Sequence, residues 1–215
     1  MKIRITIFVL ITAVIFIALT GASNDDGYGV FNPNPIELKI PPGWPKPTAN
    51  IFANNKLTEQ GFRLGKKLFY DGKLSKDGEV SCASCHQQFA AFATFDHDLS
   101  HGVNNTLSTR NAPALYNLAW KTNLHWDGGI NHIEVQPLSP LTAPNEMGET
   151  LENVINKIKK DTSYKRMFKV AFGDTEINSQ RMLKALAQFT GTLISANSKY
   201  DKVKRGEAVF TPFEE

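Results

Sequence analysis

Val80-Ser81-Cys82-Ala83-Ser84-Cys85-His86 is the stretch on which the reading of the whole chain turns. Two thiols three residues apart can add to the two vinyl groups of a porphyrin, and the adjacent histidine then reaches the iron as its proximal ligand. The other readings of such a pair need surroundings the sequence does not supply. A thioredoxin-like redox pair sits in a βαβ setting, and no such pattern is present. A zinc site needs a second Cys/His pair at ligand spacing, and Cys82 and Cys85 are the only cysteines. The motif therefore predicts one covalently attached haem c, held by Cys82, Cys85 and His86.

Upstream of the motif, Met1-Lys2-Ile3-Arg4 is a basic stub that runs into the uncharged apolar stretch 5–20 and then Gly21-Ala22. This is the layout of a signal peptide over residues 1–22, and a retained N-terminal membrane anchor is the other reading. In both the rest of the chain is exported, and the periplasm is the expected compartment. Without Lys2 and Arg4 the chain keeps 22 basic against 21 acidic residues, which leaves no electrostatic footprint for nucleic acid. Residues 23–48 follow, rich in proline (Pro33, Pro35, Pro41, Pro42, Pro45 and Pro47) and without periodicity. They read as an extended tether or a strap over the domain surface.

Regular structure should begin at Leu57, with Thr58 as helix cap and Leu57 and Phe62 placed as a hydrophobic staple. Leu57, Gly61, Leu64 and Leu68 share one face, which implies a close-packed side, and Asp71-Gly72 closes the helix. From Phe89 to Pro144 hardly any period is sustained; a stretch of that length is uncommon unless it is functional or organised by a ligand, and a haem is such a ligand. Helical spacing returns at Leu151, Val154, Ile155 and Ile158, and again at Tyr164, Met167, Phe168 and Ala171 up to Gly173. Asn178 should cap a further helix carrying Met182, Leu183, Leu186, Phe189 and Leu193. The expected class is all-α: a cytochrome c-like haem domain over residues 49–205 with long haem-wrapping loops. Phe210-Thr211-Pro212-Phe213-Glu214-Glu215 reads as a helix start, so residues 206–215 are expected to open a second, truncated domain.

What the haem does depends on its sixth iron position. Methionine there makes an electron carrier, whereas an open or displaceable position permits catalysis. The candidates are His97, His101, His125, His132, Met147, Met167 and Met182. Met167 and Met182 fall on apolar helix faces and read as core, and His97 between two aspartates reads as a solvated loop residue. Position alone does not choose among the others.

The string Leu64-Gly65-Lys66-Lys67-Leu68-Phe69-Tyr70-Asp71, then Leu74-Ser75 and the haem motif, resembles the N-terminal haem domain of the bacterial di-haem cytochrome c peroxidases. The wider family includes di-haem enzymes that mature tryptophan-derived quinone cofactors. The resemblance continues through Arg110-Asn111-Ala112-Pro113, Trp126-Asp127-Gly128, Glu134-Val135-Gln136, Glu146-Met147-Gly148 and Ser198-Lys199-Tyr200-Asp201. It implies that Gln136 and Glu146 form the distal pair that handles peroxide, and that His101 caps the distal side of the haem in the resting enzyme. It implies further that Trp126 is the aromatic between two haems and that Asn111 helps hold a calcium between two domains. The expected substrate is hydrogen peroxide, the electron donor a small cytochrome c or copper protein, and a homodimer is compatible with the family.

The sequence departs from the family in three respects. Gly129 stands where the family usually has arginine, and Pro137 and Ser139 replace a small residue and a glycine. A second CxxCH is missing. The expected function is a cytochrome c peroxidase. The alternatives are a mono-haem electron carrier with Met147 as sixth ligand, and a maturation enzyme for a tryptophan-derived quinone.

Overall fold

Thr58 turns the chain into its first helix. Its backbone is extended, and its hydroxyl accepts a hydrogen bond from the Gly61 amide at 3.0 Å, so α1 runs Glu59–Phe69. The computed structural model describes residues 29–47 and 50–215, and the predicted signal peptide lies outside them. The face that carries Gly61, Leu64 and Leu68 packs against α6 (Ser179–Thr190), whose cap is Asn178. The two helices approach so closely that a Cβ on Gly65 would lie 1.9 Å from the Ala185 carbonyl oxygen. Only glycine permits that contact, and it brings Leu64 and Leu68 into a fully buried layer with Leu186 and Met182.

The polar groups that this approach buries are paired. Gln188 donates to Asn55 Oδ1 at 2.8 Å and accepts from the Thr58 amide at 3.0 Å. Among the described residues no buried side-chain nitrogen or oxygen lacks a partner. Two further helices complete the scaffold: α4 (Leu151–Lys159), capped by Thr150, and α5 (Thr162–Phe172), capped by Asp161 and closed by Gly173 at φ +100°. Their buried residues, among them Val154, Ile158, Tyr164 and Phe168, are those of the helical spacing. Each of these helices begins at a residue chosen for it by capping chemistry, and α5 also ends at one. One more helix, α7 (Lys199–Lys204), is capped by Ser198.

The stretch between Cys82 and Met147 is built differently. It holds only α2 (Cys82–Cys85), α3 (Leu138–Thr142) and short 3-10 turns, joined through the single bridges 87–93, 101–107 and 124–130. All seven non-glycine residues of positive φ among the described residues lie here, from Ala91 to His125. The class is all-α, with isolated bridges in place of strands among the described residues.

The proline-rich segment from 29 to 47 lies along this domain as a strap. Ile36 donates to the Leu57 carbonyl and Asn34 accepts from the Glu59 amide. Farther along, the Trp120 indole donates to the Pro45 carbonyl at 2.8 Å while its ring meets Trp44 edge-on. Near the other end, Thr211 donates its amide and hydroxyl to the Glu214 carboxylate, closing one turn. No helix of the described residues is long and apolar enough to cross a membrane.

Candidate haem site

Cys82 and Cys85 stand at the two ends of α2, a single helical turn, and His86 follows at its C-terminus. The Ser81 amide donates to Ser84 Oγ at 3.1 Å, which holds the turn between the cysteines. Burial pushes the Cys82 thiol up to about 12 and raises that of Cys85 as well. Redox CxxC pairs lower a thiol to make a nucleophile, so these sulfurs are poorly suited to disulfide exchange. They remain available for thioether attachment.

The His86 ring is fixed by the loop that follows it. Phe92, at φ +56°, turns its carbonyl onto Nδ1 at 2.8 Å, and the Gln87–Ala93 bridge closes the loop. A carbonyl can only accept, so Nδ1 carries the proton and Nε2 keeps its lone pair for a metal. Burial pulls the histidine toward its neutral form, against the Phe92 and Pro113 carbonyls. The Thr94 hydroxyl donates to the Cys85 carbonyl at 2.8 Å, which ties the loop back to α2.

A mainly apolar cleft opens over this motif, lined by Phe69 and Leu186 from the helical scaffold and by Leu115 and Leu141 from the loop side. A more polar cleft adjoins it and shares Cys85, His86, Gln136, Pro140 and Glu146. Two thiols, a neutral histidine with one free nitrogen and an apolar wall fit a c-type haem.

Gln136 and Glu146 line both clefts, ten residues apart in sequence and brought together by α3. The 102–107 loop clamps the Glu146 segment. Val103 donates to the Glu146 carbonyl at 2.7 Å, and Asn145 Nδ2 donates to the Leu107 carbonyl at 3.1 Å. Gly102 permits this clamp, because a Cβ there would lie 2.2 Å from the Asn145 carbonyl. Glu146 is half-buried, and that burial raises its proton affinity, against the pull of the nearby His125 charge.

The other predicted residues are placed as follows. Met147 is buried and lines the apolar cleft. The His101 side chain is exposed and packs edge-on against His97, although its backbone carbonyl is 3.9 Å from Cys85 Sγ. Trp126 is 63% exposed, with its indole donating to the Asn111 carbonyl at 2.8 Å. Asn111 donates in turn to the Asp98 carbonyl. Among the described residues no three His, Cys, Asp or Glu side chains cluster as a metal site. A calcium, which takes six to eight oxygens, would have to draw on other groups. His132 is exposed and accepts from the Glu134 amide, and Met182 is fully buried in α6.

His125, which the sequence offered only as one of several candidate axial ligands, is brought into the cavity. Its Nε2 lies 3.2 Å from Gln136 Nε2, inside the polar cleft and next to Trp126-Asp127-Gly128. Gly129 donates its amide to Asp127, whose other oxygen accepts from Arg110 at 3.1 Å.

The family model described as di-haem cytochrome c peroxidase matches residues 59–209. The methylamine utilization protein MauG of Methylorubrum extorquens is 35% identical over 187 residues, covering 81% of this chain and 51% of that protein. Cytochrome c551 peroxidase of Nitrosomonas europaea is also 35% identical, over 144 residues that cover 67% of this chain and 43% of the peroxidase. A solved MauG-like protein associated with microbial copper homeostasis superposes with a TM-score of 0.74 at 32% identity, over 82% of this chain and 52% of its own. The chain spans about half the length of the curated relatives it matches.

Proposed function

This chain belongs to the di-haem cytochrome c peroxidase family, and on that premise we propose that it forms the peroxide-handling half of a periplasmic peroxidase. The observation that carries the reading is the convergence of Gln136 and Glu146 on the cleft that holds Cys85 and His86. Cys82 and Cys85 would hold the porphyrin and His86 Nε2 the iron. Bound haem supplies the redox-active iron at which hydrogen peroxide is reduced.

The protein's own part is to move one proton and fix one geometry. Splitting HOOH on the way to two waters requires a proton to leave one peroxide oxygen and arrive at the other. Glu146 can take it from the first and return it to the second, because its burial keeps a proton bound where an exposed carboxylate would lose it. Gln136 cannot exchange protons and serves to orient the peroxide by hydrogen bonds. The apolar wall of Phe69, Leu115, Leu141 and Leu186 keeps bulk water from that exchange.

Two electrons come from outside the cavity and two protons from solvent, so that one HOOH yields two waters. The only two cysteines serve one haem, so a second haem would belong to a further domain and pass on electrons from a small cytochrome or copper protein. His101 would reach the iron only if its loop moved.

Glu146→Gln tests the reading: peroxide turnover should collapse while haem content stays intact, and unchanged turnover would refute the role. Two other readings have an observation each. Met147 lines the same cleft, which suits an electron carrier, and a methionine–iron charge-transfer band in the ferric spectrum would decide for it. Equal identity to MauG and to the peroxidase suits a maturation enzyme that draws electrons from a partner protein instead.

A further inference from the structure

His125 is the one histidine of the cavity that the proposed chemistry leaves without a role. It is half-buried, and its Nε2 faces Gln136 Nε2 at 3.2 Å. Two nitrogens at that separation bond only if one carries a proton and the other a lone pair. A neutral imidazole with its proton on Nδ1 accepts at Nε2, and the Gln136 amide nitrogen donates to it. The amide end left for the cavity is then Oε1, which can only accept.

Protonation reverses this. An imidazolium carries N–H on both nitrogens and has no acceptor, so it cannot hold an NH₂ group. The bond is restored by a half-turn of the amide that sets Oε1 on His125 and sends the NH₂ into the cavity. The two ends of an amide have nearly the same shape, so the half-turn asks little of the surrounding packing. This is the only hydrogen bond of the Gln136 side chain recorded among the described residues, and no second one locks its orientation.

We propose that His125 sets which end of the Gln136 amide faces the haem cavity, an acceptor when His125 is neutral and a donor when it is protonated. His125 is thus a positioning residue that gives the cavity two hydrogen-bonding states. The proposal rests on the reading of Gln136 and Glu146 as the pair that faces peroxide. The titratable and charged groups around the clefts His125 lines are Glu146, Arg110, Asp127, Lys121, Cys85 and His86. Of these, Glu146 is linked to it most directly, since the charge on His125 draws down the proton affinity that burial raises.

The test uses the full haem-loaded chain, reduced and saturated with carbon monoxide, with the C–O stretch followed in the infrared between about pH 5 and 8, the window in which imidazoles titrate. A donor aimed at the ligand oxygen pulls electron density into the C–O antibonding orbital and lowers the frequency. Wild-type protein should shift to lower frequency as pH falls. His125→Asn should show one pH-independent band, and asparagine is the right replacement because it accepts the left-handed backbone at this position, φ +65°. Gln136→Leu should also abolish the pH-dependent shift, and it should move the band at every pH.

A wild-type band that does not move with pH overturns the proposal. So does a shift that survives in His125→Asn or in Gln136→Leu, since His125 would then not act through the amide. Loss of a low-spin ferric spectrum in His125→Asn overturns it too, by making His125 an iron ligand. If Gln136→Leu leaves the band where it was at every pH, Gln136 does not face the ligand, and the distal-pair reading falls together with this one.

Discussion

The helical side of the molecule and the loop side that faces it solve opposite problems. On α1 and α6 every device serves close approach: glycines where a Cβ would collide with a backbone oxygen, at Gly65, or with the Gln188 side chain, at Gly61, together with a layer of fully buried leucines and paired polar groups. Between residues 86 and 147 the devices are left-handed turns and single long-range hydrogen bonds, and they serve aim. Phe92 is turned so that its carbonyl reaches His86, and Gly102 is thin enough for Val103 to hold Glu146. The lesson is a division of labour, with stability stored where chemistry is absent. Loops positioned by a rigid scaffold are where functional groups are expected to sit.

The strongest attempt to break that division is Glu146→Gln. Loss of a positioned acid–base group typically costs about 10²–10⁴-fold, so peroxide turnover should fall by that factor with thermal stability nearly unchanged. The pH profile sharpens the point. Burial holds the proton on Glu146 above its ordinary value, and the base form is needed first. Turnover should therefore decline on the acid side while ordinary exposed carboxylates are still ionised. An acid limb at or below the ordinary glutamate value contradicts this.

Gly102→Ala probes the same half from its second layer. The new methyl group would press on the Asn145 carbonyl and displace the clamp on Glu146. Small displacements of a catalytic group can cost up to about 10²-fold, and turnover should drop toward that limit with haem content retained. Equal losses of turnover and stability would place Gly102 with the scaffold instead.

These two halves also differ in how far the sequence discloses them. The scaffold was legible because helices are local: a cap at Thr58, the 3.6-residue spacing of Leu64 and Leu68, a terminal Gly173. Even the close approach at Gly61 could be anticipated from its place on the apolar face. The haem motif was legible because its spacing is itself the chemistry. The neighbourhood of the cavity was not, since it depends on contacts across tens of residues, such as Val103 to Glu146. His125 could not be separated from His101 or His132 by position, and the exposure of Trp126 has no signature in local pattern. The resemblance to a family supplied Gln136 and Glu146, which periodicity would have passed over as loop residues.

On the scaffold side, Gly65→Ala should reverse the profile of Glu146→Gln. A Cβ 1.9 Å from the Ala185 oxygen cannot be accommodated without separating α1 from α6. Overpacking of this kind costs about 1–3 kcal/mol, to be read from the denaturant midpoint, while turnover per folded molecule stays within about twofold. A neutral Gly65→Ala would mean that the helices can part freely, and the contrast drawn above would lose its structural half.

The smallest effect is expected at the start of α1, where Thr58 has two separable duties. Its hydroxyl caps the helix through the Gly61 amide, and its own amide donates to the buried Gln188. Thr58→Ala removes only the first and should cost about 1 kcal/mol. Thr58→Ser keeps both and should be close to wild type, which isolates the cap from any effect of the lost methyl group. Neither variant touches the cavity, so the ferric haem spectrum should be the same in both. A spectral change in Thr58→Ala alone would show that strain at the α1 cap reaches the haem motif, and the separation between the stabilising and the aiming halves would then have to be redrawn along α1.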